Sequence, residues 1–159
     1  MGGKRLSAHC LRNINQLTDY FFTKLGTINI MDINYKQLMD TAKEASKHSY
    51  SPFSRFAVGA AILASSGKIY SGCNVENSSF GLTICAERTA IFKAVSEGER
   101  EIIAVAIYSP NSDSCYPCGA CRQVLYEFQG DDEILVITEN LGELEVKKLS
   151  FFLPCGFRI

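Results

Sequence analysis

The sequence predicts a single α/β domain, with a mixed central sheet of about five strands flanked by helices in three layers. Three observations predict it. Residues 102–108 and 134–138 are short apolar runs, rich in β-branched side chains and free of charge, as in strands buried on both faces. Residues 56–63 and 68–73 are strand-like stretches separated by Ser65-Ser66-Gly67, the composition of a hairpin turn. Between and before these runs, apolar residues recur at helical spacing. A chain of 159 residues is about one domain, large enough to bury roughly 70% of its unfolded surface. It shows no internal repeat or low-complexity tract.

Taken in order, residues 1–33 read as an N-terminal extension, either an accessory helix or disordered. It has no acidic side chain before Asp19 and a small apolar set, Leu11, Ile14, Leu17, Phe21 and Leu25. Its basic, acid-poor start leaves a transit peptide as an alternative. Met1-Gly2 suits a myristoylation signal, but Leu6 stands where that signal needs Ser or Thr. The main domain spans 34–159. Asn34 reads as an N-cap, and Leu38, Met39, Ala42 and Ala45 line one side of a helix running to about His48. His48 itself reads as a surface histidine, and Pro52 prevents simple continuation. Gly59, Ala60 and Ala61 are small enough for a neighbour to pack close to the first strand. Residues 74–81 form a polar loop. Thr83 reads as the cap of a second helix with Cys85 and Glu87 in its first turn and Ile84, Ala90, Ile91, Ala94 and Val95 as its core face; Gly98 ends it. After the loop at 109–114, Pro117 opens a third helix that carries Cys118 and Cys121, with Val124, Leu125 and Phe128 inward and Gly130 as its stop. Asn140-Leu141-Gly142 turns the strand at 134–138 into an amphipathic edge strand at 144–147.

Bulk properties narrow the function. The net charge is −1 with no basic block, so electrostatic capture of a nucleic acid is not indicated and a free small molecule is the better substrate. No run approaches the roughly 20 apolar residues of a membrane span. Seven cysteines, with no secretory signal visible, suit a reducing compartment where thiols stay available for metal. The expected location is the cytoplasm; the nucleus, or an organelle reached through the N-terminal extension, stays open. Cys10, Cys73, Cys115 and Cys155 read as plain free thiols.

The chemistry concentrates in Cys85-Ala86-Glu87 and Pro117-Cys118-Gly119-Ala120-Cys121. A structural zinc is closed by four protein ligands, whereas a catalytic zinc takes three and leaves a position open. Here three thiols are present and a glutamate stands where a fourth thiol is missing. Both segments open helices, where free N–H groups and the dipole favour thiolates. Cys118 and Cys121, at i and i+3, share a face. Three thiolates leave a zinc cluster at −1, so nearby positive charge is needed; Arg88 and Arg122 read as donors to the sulfurs. Glu87 is too near Cys85 along the chain to share the ion easily, yet near enough to exchange a proton with water beside it.

This pairing of a non-ligating Glu with a P-C-x-x-C half matches the signature of zinc-dependent nucleobase deaminases. Together with Asn74-Val75-Glu76-Asn77, Cys85-Ala86-Glu87-Arg88-Thr89-Ala90 and Pro117-Cys118-Gly119-Ala120-Cys121-Arg122-Gln123 resemble the small, homotetrameric cytidine deaminases. The resemblance runs from about Tyr35 to the C-terminus, including Ser51-Pro52-Phe53-Ser54 and Leu153-Pro154. It implies a cytidine-deaminase-like fold and hydrolysis of cytidine and 2′-deoxycytidine to uridine and 2′-deoxyuridine, with release of ammonia, in pyrimidine salvage. It implies one Zn2+ per subunit on Cys85, Cys118 and Cys121, with Glu87 as the catalytic acid and base. It also implies Asn74 and Glu76 on the ribose 3′ hydroxyl, Phe56 on the pyrimidine face and Ala86 in the substrate pocket. Phe80 is expected near a neighbouring subunit's site, and Phe157 to reach in from a neighbour, with active sites shared across the homotetramer. Gln123 reads either as a site hydrogen-bonder or as a helix-surface residue. Ala57 departs from the proline of many relatives. Two other readings stand beside this one. A polynucleotide-editing deaminase would share the chemistry. A structural metal or iron–sulfur module would use Cys115, Cys118 and Cys121 as C-x2-C-x2-C, although Leu125 stands where a ferredoxin run needs cysteine.

Overall fold

Asn34 begins the first described helix as its composition predicts: its side-chain oxygen accepts from Gln37 N at 3.0 Å, filling one of the donors a helix start leaves free. The computed structural model describes residues 33–159; the apolar set from Leu11 to Leu25, and Cys10, lie outside the described residues. Helix α1 (Tyr35–Ser46) buries Leu38, Met39, Ala42 and Ala45. A hairpin follows, β1 (Gly59–Ala64) and β2 (Ile69–Cys73), then α2 (Ala86–Ser96), β3 (Ile102–Tyr108), α3 (Gly119–Glu127), β4 (Leu135–Asn140), β5 (Glu143–Lys148) and a short α4 (Leu149–Phe152).

The strands form one five-stranded sheet in the order β2-β1-β3-β4-β5. Among the described strands only β3 and β4 run parallel, with Val105 opposite Val136; β1 pairs antiparallel with both β2 and β3, and β4 with β5. The two-residue period of a strand then sorts the core into two faces. Ile62, Ala64, Val105, Ile107 and Val136 pack with Ala90, Ile91 and Ala94 of α2 and Leu125 of α3. Ala61, Leu63, Ala104, Ala106 and Ile137 pack with Leu38, Met39 and Ala42 of α1. The result is the expected three-layer α/β/α arrangement. The small residues of β1 have the expected cause: a side chain at Gly59 would collide with the backbone of Ala42 and Ser46 in α1. No described helix is long and apolar enough to cross a membrane.

Several boundaries differ from the sequence reading. Strand β1 begins three residues late, because side chains satisfy the backbone before Gly59: Ser54 Oγ accepts from Phe56 N, Asn111 Oδ1 from Ala57 N and Asn74 Oδ1 from Val58 N, at 2.8–3.0 Å. Thr83 does not cap α2. Its Oγ1 accepts from Asn77 N at 3.2 Å, Ile84 bridges to Val75, and the cap position belongs to Cys85, which is extended (φ −73, ψ 156). In α3 the cap is likewise Cys118 (φ −68, ψ 165), directly before the first helical residue Gly119, so Pro117 lies outside the helix it was expected to open. Gly130 is not the terminator of α3, which ends at Glu127; it lies where a Cβ would strike the Glu101 side chain. The polar loop holds a 3-10 turn, Phe80–Leu82, and α4 adds a helical turn with a single buried residue, Leu149. Both are too short to show a period in sequence.

Candidate metal and active site

Helices α2 and α3 lie on the same face of the sheet, and their N-termini converge. The caps at both ends are cysteines whose thiols make no capping hydrogen bond; they turn toward one another instead. Cys85 Sγ lies 3.8 Å from Cys118 Sγ, and Cys118 Sγ lies 3.5 Å from Cys121 Sγ. Tetrahedral zinc with Zn–S bonds of about 2.3 Å sets its sulfurs about 3.8 Å apart. Among the described residues, Cys85, Cys118 and Cys121 are the one group of three or more such side chains whose ligand atoms all lie within 4.8 Å of one another. Cys115 is not in it, so the C-x2-C-x2-C reading has no geometric basis.

The charge state of the trio shows what it lacks. Hydrogen bonding from Cys121, helped by Arg88, pulls the Cys85 thiol down to about 5 despite burial. Cys121, bonded to that thiolate and buried, is pushed upward. Three sulfurs this close cannot all ionise without a cation, and a divalent ion in place of the shared proton relieves the conflict. Arg88 fits the same demand. Its Nη2 donates to Thr83 O at 3.3 Å and Cys85 Sγ at 3.5 Å, and its Nε is buried without a partner among the described residues. The donor set therefore suits zinc.

Glu87 follows Cys85 by two residues and is 4% exposed. Burial, with the Cys85 charge adding to it, raises its carboxyl to about 7. It lines a cavity of 390 Å3 together with Phe56, Asn74, Ala86, Cys85 and Cys118. An adjoining cavity of 430 Å3 is lined by Phe53, Glu76 and Phe80, and Ser54 and Thr83 belong to both. Asn74 and Glu76 thus face different cavities that share a rim. The Glu76 carboxylate accepts from Phe53 N at 2.8 Å and Ser54 N at 3.2 Å; the Ser54 hydroxyl first, then these backbone bonds, hold it below the usual carboxylate range against its partial desolvation.

Phe80, Phe157, Gln123 and Arg122 do not line the cavity that holds Glu87. Phe80 lies on the second cavity, 71% exposed and edge-on to Phe53 at 5.6 Å. Phe157 is 72% exposed, and Gln123 Nε2 donates to its carbonyl at 2.6 Å, so Gln123 ties down the C-terminal tail. Arg122 donates to Pro117 O and Phe152 O; the sulfur contact expected of it is made by Arg88. Sequence reasoning missed Cys115 and Tyr116, which line the Glu87 cavity. Their position directly before Pro117 was the available signal. Burial, then the charges of Glu87 and Cys85, push the Cys115 thiol up to about 11 and keep it neutral.

Three thiols and a buried carboxylate at the starts of two helices on a mixed sheet define a metal-dependent hydrolase site of the zinc deaminase class. The comparisons agree. Residues 32–138 match the family model of the cytidine and deoxycytidylate deaminase zinc-binding region. The cytidine deaminase of Sporosarcina psychrophila is 44% identical over 127 residues, covering 80% of this chain and 92% of that protein. The cytidine deaminase of Halalkalibacterium halodurans is 43% identical over 77% of this chain and 92% of its own. Among solved structures, the cytidine deaminase of Burkholderia pseudomallei aligns at a TM-score of 0.73 with 41% identity, over 79% of this chain and all of that one. That of Mycobacterium tuberculosis aligns at 0.71 with 38% identity, over 80% of this chain and 100% of its own. The chain belongs to the cytidine and deoxycytidylate deaminase family.

Proposed function

We propose that this protein hydrolyses cytidine and 2′-deoxycytidine to uridine and 2′-deoxyuridine, releasing ammonia. The observation that carries the reading is the placement of Glu87 in one cavity with a metal-fitting trio of thiols and with Phe56. Cys85, Cys118 and Cys121 would hold one zinc ion per subunit, which would supply a Lewis acid able to make water nucleophilic near neutral pH. Glu87 takes a proton from the attacking water and delivers it to ring N3 as oxygen adds at C4, then carries the proton of the new C4 hydroxyl to the amine as the C4–N bond breaks and C4=O forms. One water enters and one ammonia leaves. Arg88 balances the thiolate charge. Phe56 covers the pyrimidine face, Ala86 floors the pocket, and Asn74 and Glu76 address the sugar hydroxyls across the shared rim.

Phe80 and Phe157, both largely exposed on the single chain, support a homotetramer whose subunits share active sites. Sedimentation as a fully active monomer would refute that. A role in pyrimidine salvage in the cytoplasm accompanies the proposal; fractionation of cells expressing the full chain tests the location.

The reaction is followed by ultraviolet absorbance loss and ammonia release from cytidine, deoxycytidine and cytidine monophosphate. Both nucleosides should turn over and the nucleotide should not. Glu87→Gln should keep its zinc and lose turnover by a factor of at least about 100, the scale of general acid–base assistance. Zinc loss in that variant would show that Glu87 has been misassigned.

A further inference from the structure

Helix α3 carries two of the three thiols, yet its own side chains anchor it weakly. It has nine residues, of which only Cys121 and Leu125 are buried, and a helix so short is marginal by itself. Val124 and Tyr126 pack on the core while only partly buried, and further hold comes from Phe152 at the end of α4 and the chain after it. Arg122, next to Cys121, donates from Nε to Pro117 O at 2.7 Å and from Nη1 to Phe152 O at 3.1 Å, and its guanidinium lies 5.7 Å from the Phe152 ring. Gln123 Nε2 donates to Phe157 O. Beyond the other end of α3, Arg158 Nη1 donates to Gln129 O at 2.7 Å and its guanidinium lies 5.5 Å from the Tyr126 ring. Gly156 sits so near that ring that a Cβ would fall 2.8 Å from it. The chain from Phe152 to Arg158 is thus a strap lying along α3, fastened at both ends.

Arg122 has a particular place in this arrangement. Pro117 immediately precedes Cys118, so one guanidinium clamps the turn that aims Cys118 and joins it to the strap. A planar fork with donors pointing two ways can hold two carbonyls at once; a lysine reaches only one.

We propose that Arg122 is a positioning residue for the metal, acting through the backbone: it locks the Cys118 turn to the strap, and the strap sets how long the ion is retained. This rests on Cys85, Cys118 and Cys121 being the zinc ligands. It gives the two arginines different work, Arg88 at the sulfur and Arg122 on the carbonyls.

The test uses the zinc-loaded full chain and measures the rate of zinc transfer to a chromophoric chelator, with thermal midpoints alongside. Cobalt-substituted protein adds the thiolate-to-metal absorption band. Arg122→Ala should release zinc at least tenfold faster and alter the cobalt band, and Arg122→Lys should recover part of the difference. The double variant Gln123→Ala/Arg158→Ala, which leaves the ligands and Arg122 in place, should release zinc severalfold faster, and it carries the test if Arg122→Ala does not fold. Glu99→Gln, at the other end of α2 from Cys85, should lower the midpoint without changing release, separating retention from general stability. Wild-type release by Arg122→Ala overturns the proposal. So does wild-type release by the double variant, since the strap then has no part. A wild type that binds no zinc overturns the ligand assignment itself and this proposal with it.

Discussion

Asn74, proposed above to address the sugar, is first of all a brace. Its Oδ1 accepts from Ser49 Oγ at 2.6 Å and Val58 N at 2.9 Å, and its Nδ2 donates to Phe56 O at 2.8 Å. One N–H of the amide remains for a ligand. Asn74→Ala strands three buried or part-buried partners, so it should cost roughly 2–3 kcal/mol of stability in urea unfolding. It should also raise KM for cytidine, because Phe56 loses its tether; unchanged stability would show that the brace is idle. Glu99 makes a second residue-scale case. Its buried carboxylate accepts from Ser66 Oγ at 2.6 Å and Tyr70 OH at 3.0 Å, and these bonds hold it below its usual 4.5. A carboxyl lowered by folding contributes stability that is complete above pH 4.5 and is lost as pH falls through the lowered value. Stability measured from pH 6 downward should therefore fall less steeply in Glu99→Gln than in wild type below pH 4.5. Parallel curves would remove Glu99 from the acid limb.

At the scale of elements, the β4–β5 hairpin carries an avoidable strain. Asn140 pairs with Glu143, leaving Leu141 (φ 51) and Gly142 (φ 87) as a two-residue loop with both φ positive. Such loops favour Asn-Gly, and a leucine in the left-handed region costs about 1 kcal/mol. Leu141 is 78% exposed, so Leu141→Asn gives up no core contact and should raise the urea midpoint by an amount worth about 1 kcal/mol. A lowered midpoint would mean that Leu141 makes a contact outside this chain. The turn was legible in the sequence because Gly142 marks it. So were α1, whose cap and apolar stripe agree, and β3, whose apolar run has no other use. The starts of α2 and α3 were read less well, since Thr83 is the better cap by composition. Cys85 and Cys118 take the cap positions instead, and their thiols gather rather than cap. That departure from local preference marks the site. Arg122 was misread for a related reason: its neighbour in sequence is Cys121, but its partners, Pro117 O and Phe152 O, are backbone atoms that no spacing rule reveals.

For the whole molecule, a metal held by the three thiols would be a cross-link between parts of the chain that are distant in sequence. Cys85 belongs to α2, whereas Cys118 and Cys121 belong to α3, and the central strand β3 lies between the two helices in sequence. Without a cation the three sulfurs must share protons, with Cys85 pulled down to about 5 and Cys121 pushed up. An ion that binds only this folded arrangement stabilises it by mass action: at free zinc a thousandfold above Kd the gain is about 4 kcal/mol. For a domain of this size that corresponds to a thermal midpoint higher by on the order of 10–15 °C. Chelation should lower the midpoint by that amount, and added zinc should restore it. Magnesium should not, because a hard cation that prefers oxygen gains little from three thiolates. Cys118→Ser should lose most of the zinc-dependent shift while leaving the apo midpoint nearly unchanged, since Cys118 is the exposed member of the trio. If apo and zinc-loaded protein melt together, the convergence of α2 and α3 is maintained by the sheet and core alone, and the thiols contribute nothing to holding the fold.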